Sequence, residues 1–156
     1  MAPDTLLLDV AAALRAVGPR TRAVVPVHLY GQVHPDLPRL ARALRRRRVA
    51  LVEDACQAHG AWAPGVRPGQ WGAAAAYSFY PTKNLGTVGE GGASATDDDD
   101  AAARLRALRD HGSSAVAAHV GFGVNLWPGQ LEAAVLSVKL PRLRAWNEAR
   151  RGMARR

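Results

Sequence analysis

Cysteine, aromatic residues and long apolar runs are all scarce in this sequence. The single cysteine, Cys56, excludes an internal disulfide framework and favours a reducing compartment. No stretch approaches the roughly 18 uninterrupted apolar residues of a membrane-spanning helix. The first apolar run has no basic lead-in and is interrupted at Asp9, so we expect no secretory signal. These absences together predict a cytoplasmic protein.

The size and charge of the chain narrow its class further. A length of 156 residues favours one domain, and 48% hydrophobic with 22% charged residues is typical of a globular protein. The net charge of +8 makes an anionic partner such as nucleic acid a hypothesis to weigh. The densest basic cluster, Arg45 to Arg48, is explained more simply as the carboxyl-terminal end of an amphipathic helix.

The order of the apolar patterns predicts an α/β fold. Residues 4–16 are predicted as a helix with its cap at the first or second of these residues, Asp4 or Thr5. The segment "RAVVPVHLYG" then reads as a buried strand, residues 36–47 as a helix, and "VALVED" as a second strand. Strand, helix and strand normally close as a right-handed crossover, which makes the sheet parallel.

The remaining segments continue the same architecture. "GAAAAYSFY" and "GGASA" are predicted as strands, and Asp97 to Asp100 suit the amino-terminal end of a helix that stops at "DHG". A final helix is predicted from about Pro128 to the end of the chain.

The segment "SFYPTKNLGTVGEGG" sets Lys83 between an apolar strand and a glycine-rich run. Almost all of the 21 basic residues are arginine, which stays protonated at any useful pH. A lysine can be shifted towards neutrality by burial or nearby cations and can then attack a carbonyl carbon. Lys83 is therefore a candidate nucleophile.

Asp54 ends the strand "VALVED", at the edge of an open α/β sheet where ligands bind. Taken alone, Asp54 is explained as a turn cap. Together with Lys83 it forms the pair that pyridoxal phosphate requires: a lysine to hold the aldehyde as a Schiff base and a carboxylate to keep the ring nitrogen protonated. Lys83 would then also act as the general base.

Six segments occur in one order that strengthens this interpretation: "PVHLYGQ", "VEDACQAHGA", "YSFYPTKNLG", "GEGGA", "LRDHG" and "LEAAVLSVKLPRLRAWNEAR". From about Thr21 the chain resembles the DegT/DnrJ/EryC1/StrS family of sugar aminotransferases. The resemblance implies a three-layer α/β sandwich with a mostly parallel sheet, the large domain of the aspartate aminotransferase fold (fold type I). It also implies pyridoxal phosphate as cofactor, a nucleotide-linked keto-sugar as substrate and glutamate or glutamine as amino donor.

The resemblance further implies a role for each matching residue. Lys83 carries the cofactor, Asp54 pairs with its pyridine nitrogen, Gln57 lies beside its ring and Ser78 holds its phosphate. Asn125 reaches the cofactor phosphate of the neighbouring subunit, so a homodimer is expected. Cys56 also belongs to a C-x-x-H pair, but no second pair accompanies it, and we expect no metal site.

Segments that the family usually has on both sides are not part of this sequence, and Trp127 stands where the family usually has arginine. We therefore expect residues 1–156 to be a central, truncated part of the cofactor-binding domain, inactive alone. Residues 129–156 would begin the long helix that leads to a small domain. One alternative is a non-catalytic remnant that pairs with a full-length relative. Another is a basic nucleic-acid-binding module, although no nucleic-acid motif is recognisable.

Overall fold

A four-stranded sheet organises the protein, which we describe from a computed structural model covering residues 1–113 and 118–155. The first two pairings in the order β1-β2-β3-β4 are parallel and the last is antiparallel. The strands are β1 (Ala23–Val24), β2 (Ala50–Asp54), β3 (Ala74–Ser78) and β4 (Gly92–Ala95). The predicted α/β class with a mostly parallel sheet is confirmed.

In the described part of the chain, five α-helices accompany the sheet: α1 (Val10–Ala16), α2 (Leu37–Arg46), α3 (Asp99–Arg109), α4 (Gln130–Lys139) and α5 (Leu143–Ala154). Helix α2 connects the parallel strands β1 and β2, as the crossover prediction required. Helix α3 begins where the acidic run predicted, because the Asp98 carboxylate accepts a hydrogen bond from the Ala101 N–H.

The predicted start of the first helix is wrong. Helix α1 begins at Val10 rather than near residue 4, because Asp9 is the cap: its carboxylate accepts a hydrogen bond from the Ala12 N–H at 2.9 Å. This bond, the largest cause, lowers the pKa of Asp9 below its usual value. The chain before it turns through Leu6, whose positive φ of 59° is incompatible with a continuous helix.

Two other predicted elements are shorter or broken. The first strand pairs only over Ala23–Val24, with one further bridge between Val27 and Asp54. Pro26 lies between them and cannot donate to a strand ladder. The predicted final helix is split into α4 and α5 by a 3₁₀ turn at Leu140–Arg142, which contains Pro141. Arg156, the last residue of that prediction, lies outside the described residues.

The hydrophobic core lies between α2 and the parallel strands. Leu37, Leu40 and Leu44 repeat at the spacing of one helix face and are completely buried. They belong to one cluster with Val10 of α1 and Leu51 of β2. Since burying a leucine side chain is worth about 1.5–3 kcal/mol, this face holds α2 against the sheet and fixes the direction in which β2 leaves the core.

A buried carboxylate, Glu53, ties β2 to two loops. Its oxygens accept hydrogen bonds from the N–H groups of Gly69 (2.8 Å), Trp71 (3.0 Å) and Gly72 (2.7 Å), and His28 Nε2 lies 3.0 Å away. Glu53 and His28 are both 0% exposed. Burial opposes ionisation, but the bonds from His28 and the backbone outweigh it and lower the pKa of Glu53. The carboxylate is therefore ionised and fully hydrogen-bonded inside the protein.

The substitution Glu53→Gln tests this arrangement. An amide nitrogen would face N–H donors in either orientation, so we expect a loss of about 3–5 kcal/mol in the free energy of unfolding, measured by urea denaturation at pH 7. Glu148→Gln is the matched control, since Glu148 forms an exposed pair with Arg144. Equal urea midpoints for the two variants would contradict the role given to Glu53.

The pH dependence of stability gives a second test. Because the native pKa of Glu53 lies below the ordinary value of 4.5, its stabilising contribution is complete above that value. It is lost as the pH falls through the lowered native pKa. Urea midpoints measured from pH 7 to pH 3 should therefore fall less steeply in Glu53→Gln than in the unmodified chain. If the urea midpoints of the two proteins fell in parallel with pH, Glu53 would not be the group whose protonation destabilises the fold.

Candidate active site

The site is built where β2 and β3 end. These strands are parallel, with Asp54 opposite Ala76, so Asp54 and Ser78 lie at the same carboxyl-terminal edge of the sheet. The chain leaves β3 into a turn in which the Lys83 N–H donates to the Tyr80 carbonyl at 2.9 Å. The topology therefore brings the Asp54 carboxylate, the Ser78 hydroxyl and the turn that carries Lys83 to one edge of the sheet.

Asp54 is held by its backbone and keeps hydrogen-bonding capacity on its carboxylate. Its N–H donates to the Pro26 carbonyl and its carbonyl accepts from the His28 N–H, both at 3.0 Å. Oδ1 accepts a hydrogen bond from the Cys56 N–H at 3.0 Å. The Cys56 thiol also lies against this carboxylate. Within the described ranges no other residue donates a hydrogen bond to it, so the carboxylate can still accept one from a protonated ring nitrogen.

Lys83 lies in a closed loop whose shape depends on Gly86. A Cβ atom at Gly86 would stand 2.4 Å from the Pro81 carbonyl oxygen, closer than any side chain tolerates. The Thr87 N–H closes the loop by donating to the Phe79 carbonyl at 2.7 Å. The closed loop holds Lys83 in place. Because Lys83 is only partly buried, its amine remains reachable by a ligand.

Helix α4 supports this loop from outside. The Thr87 hydroxyl donates to the Glu132 carbonyl at 2.9 Å, and the Lys139 amine donates to the Gly86 carbonyl. The two lysines of this region therefore differ in their surroundings. Lys139 is engaged as a structural donor, whereas no hydrogen bond involves the Lys83 amine within the described part of the chain.

Gln57 and Ser78 also make local contacts. The Gln57 side-chain oxygen accepts a hydrogen bond from the Tyr30 N–H at 2.7 Å, which attaches the segment after β2 to the 3₁₀ turn at Leu29–Gly31. Ser78 Oγ accepts from the Tyr80 N–H at 3.3 Å. Both side chains lie next to the Asp54 and Lys83 segments, and both keep donor groups for a ligand.

Asn125 occupies a different part of the structure. It is exposed and pairs with Asp110 at the end of α3. Its side-chain oxygen accepts from the Trp127 N–H at 3.3 Å, and the Trp127 indole donates to the Asp110 carboxylate at 3.1 Å. In the described ranges no hydrogen bond joins Asn125 to the other predicted site residues. Its predicted reach into a neighbouring subunit remains a prediction.

Burial and nearby charges determine the protonation states of Cys56 and His59, two residues close to Lys83. Burial raises the pKa of the Cys56 thiol, with Asp54 acting in the same direction, so Cys56 stays protonated. Burial, and then the charge of Lys83, lowers the pKa of His59. His59 lies between the rings of Tyr77 and Phe79, with both centroids 5.7 Å away. At neutral pH a protonated thiol and a neutral imidazole therefore lie beside Asp54 and Lys83.

Two residues important to the site carried no clear sequence signal. Glu53 adjoins Asp54 and could have been recognised as an acid at a buried alternating position of β2. Asn147 of α5 is buried and hydrogen-bonded to both the His59 and the Asn84 segments. Nothing in its local sequence indicated this, because its partners are 88 and 63 residues away.

Two further observations concern the alternative site types. Among residues 1–113 and 118–155, no group of three or more His, Cys, Asp or Glu side chains could hold a metal ion. No helix there is long and apolar enough to cross a bilayer.

A groove of about 680 Å³ lies at the opposite edge of the sheet, before β1 and β2, and is lined by Arg15, Arg22, Arg47 and Arg48 among others. The basic cluster is thus separate from Lys83.

Comparison with known proteins finds curated relatives that are similar in sequence to this chain. The chain is 46% identical over 152 residues to the dTDP-3-amino-3,4,6-trideoxy-alpha-D-glucose transaminase of Streptomyces venezuelae, covering 97% of this chain and 40% of that protein. It is 49% identical over 148 residues to the erythromycin biosynthesis protein EryC1 of Saccharopolyspora erythraea, covering 94% of this chain and 40% of that protein. The chain thus spans about 40% of the length of these curated relatives.

Solved structures also include proteins that are similar to this chain. The crystal structure of S. venezuelae DesV in complex with a ketimine intermediate superposes with a TM-score of 0.88 at 45% identity, over 95% of this chain and 40% of that one. Other structural neighbours hold pyridoxamine phosphate or hydrated pyridoxal phosphate, the cofactor expected for the family. The family match extends over residues 1–156. The chain therefore belongs to the DegT/DnrJ/EryC1/StrS aminotransferase family.

Proposed function

We propose that this chain provides the pyridoxal phosphate site of an aminotransferase that acts on a nucleotide-linked keto-sugar. The observation that carries the proposal is the position of Lys83 and Asp54, which follow neighbouring parallel strands at one edge of the sheet. The carboxylate of Asp54 and the partly exposed Lys83 fit the two ends of such a cofactor. When bound, pyridoxal phosphate supplies an electron sink for breaking a bond at the substrate carbon.

Lys83 has two tasks in this proposal. Its amine would hold the cofactor covalently. The same amine would serve as the general base that moves a proton to or from the substrate carbon. The loop closed by Thr87 and Gly86 keeps Lys83 near that carbon in both tasks, which gives the reacting groups a high effective concentration.

Asp54 keeps the cofactor ring protonated. Its Oδ1 is already occupied by the Cys56 N–H, so the carboxylate is oriented before any ligand arrives. The carboxylate would accept a charge-assisted hydrogen bond from the ring N–H and so hold the proton on the ring nitrogen. Burial raises the pKa of Cys56 and lowers that of His59, so neither side chain adds a charge beside this contact at neutral pH.

Three further residues complete the proposed site. Gln57 would lie beside the ring, Ser78 would bind the phosphate through its hydroxyl, and Asn125 would reach the phosphate of a second copy, in a homodimer. The exposed position of Asn125 supports a role between subunits. Residues 1–156 would be part of the cofactor-binding domain, with 129–156 leading towards a small domain.

The substrate class rests on the relatives. One is named as a transaminase of a dTDP-linked amino sugar and another as acting on UDP-N-acetyl-3-dehydro-alpha-D-glucosamine. We propose a nucleotide-linked keto-sugar as amino acceptor and an amino acid as donor, in amino-sugar, polysaccharide or antibiotic biosynthesis in the cytoplasm. The rival interpretation, a remnant that keeps these residues without binding cofactor, predicts the opposite result in the following experiment.

Reductive trapping tests the proposed role of Lys83. The purified chain is incubated with pyridoxal phosphate, reduced with borohydride and mapped by peptide mass spectrometry. We expect cofactor on Lys83 and not on Lys139, whose amine donates to the Gly86 carbonyl. Lys83→Arg should abolish trapping. A folded chain, verified by circular dichroism, that carries no cofactor on Lys83 would favour the remnant.

The substitution Asp54→Asn tests the ring contact separately. The amide oxygen can still accept from the Cys56 N–H, but the negative charge is gone. A hydrogen bond to a charged group is worth about 1.5–3 kcal/mol, so we expect the Kd for pyridoxal phosphate, measured by absorbance titration, to rise about tenfold to hundredfold. Asp97→Asn is the control, as Asp97 is exposed before α3. An unchanged Kd in Asp54→Asn would contradict the proposal.

A further inference from the structure

Asn147 is the buried polar residue of α5. It is 8% exposed, on a helix whose other residues are exposed or only partly buried. A buried amide must form hydrogen bonds to offset its loss of water. The partners of Asn147 are distant in sequence, which makes its side chain a connection between separate parts of the fold.

The Asn147 amide joins two segments. Its Nδ2 donates to the His59 carbonyl at 2.8 Å, and its Oδ1 accepts from Asn84 Nδ2 at 3.2 Å and from Arg150 Nη1 at 3.0 Å. The amide orientation is determined by these partners, because a flipped amide would set oxygen against the His59 carbonyl and N–H against two donors. Both the amide nitrogen and the amide oxygen of Asn147 therefore have matching hydrogen-bond partners.

The joined segments are those that carry the proposed cofactor contacts. Asn84 directly follows Lys83 in the closed loop. His59 follows Asp54 and Gln57 through successive turns, in which the Ala58 N–H donates to the Ala55 carbonyl and the Ala61 N–H to the Ala58 carbonyl. One side chain therefore links the Asp54 segment to the Lys83 loop.

Gly60 makes room for this contact. Its φ of +71° is unfavourable for other residues, and a Cβ there would stand 2.9 Å from Asn147 Nδ2. A second hydrogen bond, from Arg151 Nη2 to the Gly60 carbonyl at 3.3 Å, attaches α5 at the same place. The backbone after His59 is thus shaped to receive α5.

We propose that Asn147 is a positioning residue that fixes the Lys83 loop relative to the Asp54 segment. Its importance for catalysis rests on the function proposed above, but the coupling itself does not require cofactor. Loss of the amide should release both segments together, even though they are separated in sequence and neither belongs to α5.

Hydrogen exchange measured by mass spectrometry on the cofactor-free chain tests the coupling. In Asn147→Ala we expect exchange to accelerate about tenfold in peptides spanning 55–61 and 80–87, with β2 and β3 unchanged. Glu148→Ala, at an exposed neighbouring position of α5, should leave both segments as in the unmodified chain. Acceleration confined to α5, or spread evenly over the chain, would overturn the proposal.

A milder variant covers the case in which Asn147→Ala does not fold. Asn147→Asp keeps an acceptor for Asn84 and Arg150 but turns an oxygen towards the His59 carbonyl. Exchange should then rise in 55–61 and stay near the unmodified rate in 80–87. If Asn147→Asp leaves 55–61 unchanged, the proposal is wrong whatever the alanine variant does.

Reductive trapping then separates positioning from general stability. Asn147→Ala should lower the fraction of cofactor trapped on Lys83 about fivefold at equal helix content by circular dichroism, whereas Glu148→Ala should not. Trapping equal to that of the unmodified chain would overturn the positioning of Lys83. If the unmodified chain traps nothing, the proposed function fails, and hydrogen exchange still decides whether Asn147 couples the segments.

Discussion

The arrangement of the carboxyl-terminal edge of the sheet, where Asp54 and Ser78 lie, depends on the buried charge of Glu53. Side chains alternate along a strand, so a carboxylate fixed on one face of β2 directs its neighbour Asp54 to the other. Glu53 is completely buried and bound by His28 and by three backbone N–H groups. A one-residue slip of β2 would turn Glu53 and Leu51 away from the buried face. The position of Asp54 thus follows from the hydrogen bonds of Glu53.

The loops that face Asp54 are fixed by contacts from the other end of the sequence. Helix α4 binds the Gly86 carbonyl and the Thr87 hydroxyl, and Asn147 of α5 binds both Asn84 and His59. The strands therefore determine where the carboxylate points, whereas the last two helices determine where the amine lies. This division explains how a lysine in a glycine-rich turn is held at a defined place.

Much of the fold was predictable because its signals are local. The spacing of Leu37, Leu40 and Leu44 predicted α2, and the apolar run before Asp54 predicted β2. The predicted start of α1 was wrong because Asp4 and Asp9 can both cap a helix. Only the packing of the apolar residues decides between these two caps. Lys83 and Asp54 were proposed as site residues from their chemistry, and that assignment remains a prediction. Asn147 was not proposed, since hydrogen bonds between distant segments leave no local pattern.

The most direct test of the account is a crystal structure of the chain soaked with pyridoxal phosphate. The account predicts continuous density from the Lys83 amine to the cofactor, with the ring nitrogen within about 3 Å of an Asp54 carboxylate oxygen. Cofactor bound to the arginine groove, or a Lys83 amine without density while Asp54 keeps only its bond to the Cys56 N–H, would contradict it.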